Sequence, residues 1–209
     1  MKYIFTLVLL FVFVFSHAQR KSVAQMKAGL QKAQNPMAYA RDSLKKRYVL
    51  DTIIIPRIGN YQSIADSLGY KGQIGKVYGP YDKGRILVQV LAKLPNTFHR
   101  ISQIYLDAAV FSNKFADSLS DAIIKRVRSG SASFEQMAQT YSMGGEGITK
   151  GDLGWIARGV LIPEIDKAIS THKKGDIFKV RSNSGVHIIK ITENAKQDHG
   201  FALIMRVFL

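Results

Sequence analysis

The sequence predicts an α+β fold, and three observations carry the prediction. Val186-His187-Ile188-Ile189-Lys190-Ile191 alternates with the two-residue period of a strand, setting His187, Ile189 and Ile191 on one face and Val186, Ile188 and Lys190 on the other. Asp117 to Arg128 instead follows the helical period, with Leu119, Ile123 and Val127 on one stripe. Glycine-bounded turns, Gly151-Asp152-Leu153-Gly154 and Lys174-Gly175-Asp176, separate such segments.

Taken in chain order, the first element is a processing signal. Lys2 precedes an apolar run from Tyr3 to Phe15 and then Ser16-His17-Ala18, the order of charge, apolar stretch and small-residue cleavage site in a secretory signal. The run is shorter than the roughly 20 residues of a membrane span. The expectation is a signal at 1–18, cleaved after Ala18 to release the chain into the periplasm, with an uncleaved anchor as the alternative.

Residues 19–96 are expected to form a basic region of helices and one hairpin. Lys21 to Tyr48 reads as two amphipathic helices broken at Asn35-Pro36. Thr52 to Pro56 is a short strand-like run, and Tyr61 to Leu68 is a brief helix ending at Gly69. KGQIGKVYGPYDKGRILVQV at 71–90 then echoes KGDIFKVRSNSGVHIIKI at 174–191, with Ile86 falling where the second copy has His187. The whole chain has 30 Lys and Arg against 15 Asp and Glu. The excess is concentrated, +10 over residues 19–96 against +3 over 97–195. Such a basic half suits an acidic protein surface, anionic lipid or nucleic acid, and a merely solvated basic face is the alternative. Export and the lack of an aromatic-interleaved basic motif disfavour nucleic acid.

Residues 97–195 carry the strand Ile101 to Leu106, the helix Asp117 to Arg128, and a second helix from Ser133 to Tyr141. Ser133 and Gln136 have the spacing of a capping box, and Phe134, Met137 and Tyr141 share a stripe. The apolar segment Phe201 to Leu209 within 196–209 reads as a strand that joins the protein's own sheet or augments a partner's. The chain has no cysteine, which excludes disulfides, thiol catalysis and a lipidated N-terminal cysteine.

The order of Gly151-Asp152-Leu153-Gly154-Trp155, Arg158-Gly159, a short helix around Ile162 to Ile169, Lys174-Gly175-Asp176 and Ser184-Gly185-Val186-His187-Ile188-Ile189 resembles a parvulin-type peptidyl-prolyl isomerase domain. Phe134 to Ser142 is similar to the helix that leads into that family's active-site loop, and the resemblance spans about Ile101 to Glu193. It implies a parvulin-like antiparallel sheet flanked by helices, no metal and no cofactor. By resemblance, Leu153, Leu161 and Ile165 fall at the proline socket, and Gln103, Ser182 and His187 in the polar cluster. A lone histidine on an apolar face is more often a bonded core residue, and the resemblance is what favours a functional His187.

The sequence departs from the family at three positions. Gln103 stands where a histidine is usual, Gly144 where an aspartate or cysteine is usual, and Ile165 where an aromatic is usual. Gly144 offers only backbone, so catalysis is expected to be weak, and Gln103→His with Gly144→Asp is expected to raise it. The resemblance implies an isomerase or chaperone for unfolded or proline-containing polypeptides of the envelope. The alternative is an inactive domain serving as a subunit of an outer-membrane or secretion complex, docked through the basic region and the C-terminal strand.

Overall fold

The computed structural model describes residues 21–209, so the expected signal at 1–18 lies outside the described residues. Helix α1 (Val23–Lys32) starts at a capping box between Ser22 and Gln25. Asn35 caps α2 (Pro36–Ala38), which runs on into a π-helical turn, Tyr39–Ser43. Next come β1 (Tyr48–Ile54), α3 (Ile64–Lys71), β2 (Val77–Tyr81) and the long β3 (Ile86–Asp107). They are followed by α4 (Asn113–Arg128), α5 (Phe134–Tyr141), a 3₁₀ turn at Gly145–Gly147, β4 (Asp152–Ala157), α6 (Pro163–Ile169), β5 (Ile177–Ser182) and the long β6 (Gly185–Phe208).

Strands β3 and β6, of 22 and 24 residues, form one antiparallel ribbon from the Ile86–Phe208 pair to the Asp107–Gly185 pair. Each end of the ribbon gains two flanking strands. At one end β4 lies beside β3 and β5 beside β6; at the other β1 lies beside β6 and β2 beside β3. Both ribbon strands run through the boundaries expected at 96/97 and 195/196. Residues 201–207 pair with β1 on one side and, through Ala202, Leu203 and their neighbours, with β3 on the other. The C-terminal segment is therefore a central strand of the protein's own sheet. A strand bonded on both edges has no unpaired backbone to offer a partner, so docking by strand addition is excluded at this segment.

The two ends of the ribbon also match in detail. In chain order, β1, α3, β2 and the first half of β3 follow the same path as β4, α6, β5 and the first half of β6. Gly75 donates its N–H to Val90 O at 2.8 Å, and Gly175 donates to Ile191 O at 2.9 Å, both glycines having φ near +90°. Only glycine takes that backbone without strain, which explains both turns. The echo is therefore registered on Gly75, three residues beyond the Gly72 expected from Lys-Gly-x-Ile. Gly72 instead ends α3, and Ile74 is 61% exposed while Val77 takes the buried place.

Burial follows the same plan. Val186 and Ile188 pack under α4 and α5 with Ile104, Leu106, Phe134 and Met137, while Ile189 and Ile191 pack under α6 with Ile101, Ile165 and Ile169. At the other end Leu87, Met205 and Val207 pack under α1 with Leu30, while Val88, Val90 and Ile204 face α3. The alternation read at 186–191 is thus the division between two cores. Several boundaries differ from expectation: α4 starts at Asn113 ahead of Asp117, and the strand expected at Ile101 to Leu106 is part of the longer β3. Strand β1 starts at Tyr48, because Tyr48 to Thr52 find partners on β6 from Val207 to Leu203. Helix α3 continues through Gly69, where a side chain would press on Ile53 Cγ2 at 3.0 Å, so this glycine serves close packing and not a helix end.

Candidate active site

The site is built on the end of the ribbon that carries β4, β5 and α6. The β5–β6 hairpin closes at Ser182 to Gly185, and its register sets His187 opposite Val180 on one side and Tyr105 on the other. His187 is 6% exposed. Its Nε2 lies 2.9 Å from Ser182 Oγ, and its ring stacks on Tyr105 with centroids 4.9 Å apart. Ser182 Oγ also meets Ser184 Oγ at 2.8 Å and accepts the Ser184 N–H, while the Tyr105 hydroxyl donates to Ser184 O at 2.6 Å. The hairpin turn and the β3 tyrosine thus lock the imidazole from two directions.

Burial is the main influence on His187 and lowers its pKa; the carboxylates of Glu146 and Glu164 oppose that effect. The neutral ring is the favoured form in such surroundings. His187 Nδ1 is buried and has no partner among the described residues.

Gln103 lies on the same face of β3 as Tyr105, two residues away. Its Nε2 donates to Glu146 Oε1 at 3.1 Å, and Ser142 Oγ donates to the same oxygen at 2.8 Å. Ser142 Oγ accepts the Tyr105 N–H at 2.9 Å, and Met143 N–H donates to Tyr105 O. The loop after α5 is therefore tied to β3 by backbone and side chain together. Position 144 offers only backbone, as expected, and the loop brings a carboxylate beside it from Glu146. A Cβ on Gly144 would overlap the Glu146 carboxylate, with Glu146 Cδ and Oε1 2.7 Å away, so Glu146 fills the space beside Gly144.

The expected socket residues converge on one apolar cluster. Leu153 and Leu161 are half-buried at its edge, beside Ile165, Ile169, Val180 and Ile189. Ile165 is 2% exposed, so it lies within the core and presents little surface of its own. Met143, Val160 and Ile162 stand exposed around this region, and Ile148 is 91% exposed on the loop. The six residues named from sequence thus gather on one face: Gln103, Ser182 and His187 as a polar group and Leu153, Leu161 and Ile165 as an apolar one. Sequence reading missed Tyr105, Ser184 and Glu146. Glu146 was legible as the single acid in the glycine-rich segment Met143 to Gly151.

Among the described residues no group of three or more histidine, aspartate or glutamate side chains is arranged to hold a metal ion, and no helix is long and apolar enough to cross a membrane.

Residues 87–195 match the family model of the PPIC-type PPIASE domain. The chain is 35% identical over 92 residues to the chaperone SurA of Bordetella avium, covering 44% of this chain and 18% of that protein. It is 34% identical over 90 residues to the chaperone SurA of Colwellia psychrerythraea, covering 43% of this chain and 21% of that one. It thus spans about a fifth of the length of these relatives. Among solved structures, a PpiC-type peptidyl-prolyl cis-trans isomerase domain is similar with a TM-score of 0.47 and 24% identity, covering 50% of this chain and 95% of that one. PrsA from Bacillus subtilis is similar with a TM-score of 0.39 and 31% identity, covering 46% and 35%.

Proposed function

Starting from the fact that this chain belongs to the PPIC-type PPIASE domain family, we propose that it is an exported peptidyl-prolyl cis-trans isomerase that also holds unfolded clients in the periplasm, with slow catalysis. The observation that carries this reading is the part-buried Ser182–His187 pair, its imidazole stacked on Tyr105 and bordering the Leu153–Leu161–Ile165 cluster.

Rotation about a peptide bond faces a barrier of about 18–20 kcal/mol, and X-Pro bonds are the common ones with a populated cis form. No covalent nucleophile is needed. The protein has to bind the twisted amide better than either planar isomer. Leu153 and Leu161 offer apolar surface to a pyrrolidine ring, and the socket keeps water from the amide. The polar group beside it is held in one arrangement before any ligand arrives, so little reorganisation is needed as the bond twists. Ile165 gives the socket an aliphatic floor without the quadrupole of an aromatic wall, which supports the expectation of modest rates.

The exported location is supported by the charged, apolar and small-residue order of residues 1–18. The holding activity is supported by similarity to proteins named as SurA chaperones and by the exposed Met143, Ile148, Val160 and Ile162 around the site. Proline-limited refolding of a client tests the isomerase reading, since uncatalysed isomerisation takes tens of seconds and acceleration is directly visible. Unchanged refolding kinetics at stoichiometric protein would remove it. Suppressed aggregation of a proline-free client tests the holding role, and N-terminal sequencing of protein recovered from the periplasm should begin at Gln19.

A further inference from the structure

We propose that Glu146 is a positioning residue of the isomerase site, and that Gly144 is glycine so that this carboxylate can fold into the site. The inference deepens the isomerase reading and rests on it for its catalytic consequence. Three independent features of the loop point to it. Glu146 Oε1 accepts from both Gln103 Nε2 and Ser142 Oγ, at 3.1 and 2.8 Å, joining the β3 face of the site to the end of α5. A Cβ at position 144 would overlap the same carboxylate, so any larger residue there would make the Glu146 side chain move aside. Gly144 has φ of −90°, a conformation any residue adopts, so backbone freedom does not explain it. Space does.

The carboxylate orients Gln103 in a definite way. An ionised carboxylate only accepts, so the Gln103 amide must turn its nitrogen toward Glu146. Ser142 spends its proton on the same oxygen and is left to accept the Tyr105 N–H. Tyr105 is in turn the ring on which His187 rests. Glu146 therefore holds Gln103 directly and the Tyr105 backbone through Ser142, two residues of β3 on the strand beside His187, without touching the ring. Two carboxylates act on His187 from neighbouring elements, Glu146 from the loop and Glu164 from the first turn of α6, against the burial that lowers its pKa.

The test compares Glu146→Gln, Glu146→Ala, Gly144→Asp and the double variant Gly144→Asp/Glu146→Ala in the purified protein. Exchange NMR on a proline-containing peptide gives kcat and KM, and NMR of the ligand-free protein follows His187 titration and the Gln103 side-chain amide. Glu146→Gln keeps an acceptor and removes the charge. It should move the His187 titration to lower pH and lower kcat about tenfold through the lost charge-assisted bond, leaving KM nearly unchanged because the apolar socket is intact. Gly144→Asp alone should also lower kcat by evicting Glu146. The double variant should recover part of the activity lost in Glu146→Ala, since it returns one carboxylate to the same space. An unmoved His187 titration and an unmoved Gln103 amide in Glu146→Gln would overturn the proposal whatever the turnover. A wild-type protein that turns over no peptide would instead remove the isomerase reading, with the titration still deciding whether Glu146 organises the site.

Discussion

Arg206 grips Asp51 through two hydrogen bonds, Nε to Oδ2 at 2.6 Å and Nη2 to Oδ1 at 3.0 Å, at the place on its end of the ribbon that Gln103 holds on the other. The correspondence follows from register. Val90 pairs with Ile204 as Ile191 pairs with Ile101, so two residues further along Arg206 and Gln103 take equivalent positions, opposite Val88 and Ile189. By the same count Ile86 opposite Phe208 stands for His187 opposite Tyr105. The N-terminal end of the ribbon has the strands and helix of the candidate site, but an ion pair and an isoleucine replace its polar group.

That substitution predicts a separation of roles. Arg206→Met should reduce stability and leave the isomerase site unaffected. The pair is bidentate, but the Arg206 side chain is 38% exposed, so solvent screening limits the loss to about 1 kcal/mol. Urea unfolding measures the loss, and turnover of a proline peptide at wild-type rate checks the separation. A variant that loses activity while remaining folded would mean that the two ends of the ribbon are coupled.

The C-terminal half of β6 should be indispensable to the fold. Ile204 is fully buried against Val88 and Val90, in a strand with neighbours on both sides. Ile204→Ala leaves a cavity at the centre of this core and should cost about 2–5 kcal/mol. The midpoint of urea denaturation should fall accordingly, and a change below 1 kcal/mol would show that the core collapses around the gap.

Gly185 should tolerate no side chain. Its φ is 151°, and an added Cβ would overlap Leu106 O and approach Ala108 N at 3.0 Å. These are backbone atoms and cannot rotate away. Gly185→Ala should open the hairpin that holds Ser182 against His187, so that activity falls together with stability by about 1–3 kcal/mol. Loss of stability with the Ser182–His187 contact preserved in NMR spectra would place the strain elsewhere.

How far the sequence reveals this molecule depends on the range over which each signal acts. The capping box at Ser133, the helix it starts and the alternation at 186–191 are local and were legible. The six candidate residues were named through resemblance, and they share one face. Two facts were hidden because they are non-local. The closing strand of the N-terminal end lies at the far end of the chain, and no local periodicity reports that Val207 will pair with Tyr48. Similarly, Gly144 read alone is a missing side chain, while in space it is a vacancy filled by Glu146. The sequence-based expectation that Gln103→His with Gly144→Asp raises catalysis and the proposed role of Glu146 make opposite predictions for the second change, and turnover of Gly144→Asp decides between them. An aspartate there collides with a carboxylate already in place.

Tyr70 and Asp198 tie α3 to β6 and give the protein two pH limits. The Tyr70 hydroxyl donates to Asp198 Oδ2 at 2.8 Å, and Lys196 Nζ donates to the same oxygen at 2.9 Å. Burial, assisted by the bond to Asp198, pushes Tyr70 up to about 12. Burial alone would raise Asp198, but the bonds from Lys196, Tyr70 and the His199 backbone outweigh it and bring it to about 2. A depressed carboxylate stabilises the fold above its unfolded value of about 3.9 and loses that contribution as pH falls toward 2. A raised phenol stabilises the fold until pH passes the unfolded value of about 10, and loses the contribution as pH climbs toward 12. Tyr70→Phe should therefore cost about 1 kcal/mol at neutral pH and abolish this part of the alkaline loss. Denaturant midpoints from pH 8 to 11 measure both, and an alkaline limb identical to wild type would assign that loss to other groups.

His187 should make stability fall on mild acidification. Burial lowers its pKa in the folded protein, with Glu146 and Glu164 only partly offsetting it. His99, buried on β3, is lowered for the same reason, with Asp166 opposing and Arg158 adding to the shift. The unfolded chain takes up protons on both rings as pH drops through about 6.5, whereas the folded protein resists. Where the unfolded state binds more protons, stability falls as pH falls, so the contribution is complete above that value and is lost between it and the lower folded pKa. The two residues can be separated because only His187 belongs to the proposed peptide site. His187→Gln should flatten part of the decline in unfolding free energy from pH 7 to 5 and depress kcat, while His99→Gln should flatten another part and leave kcat near wild type. A decline unchanged in both variants would mean that carboxylate protonation governs the acid limb, and that neither imidazole is held neutral by its surroundings.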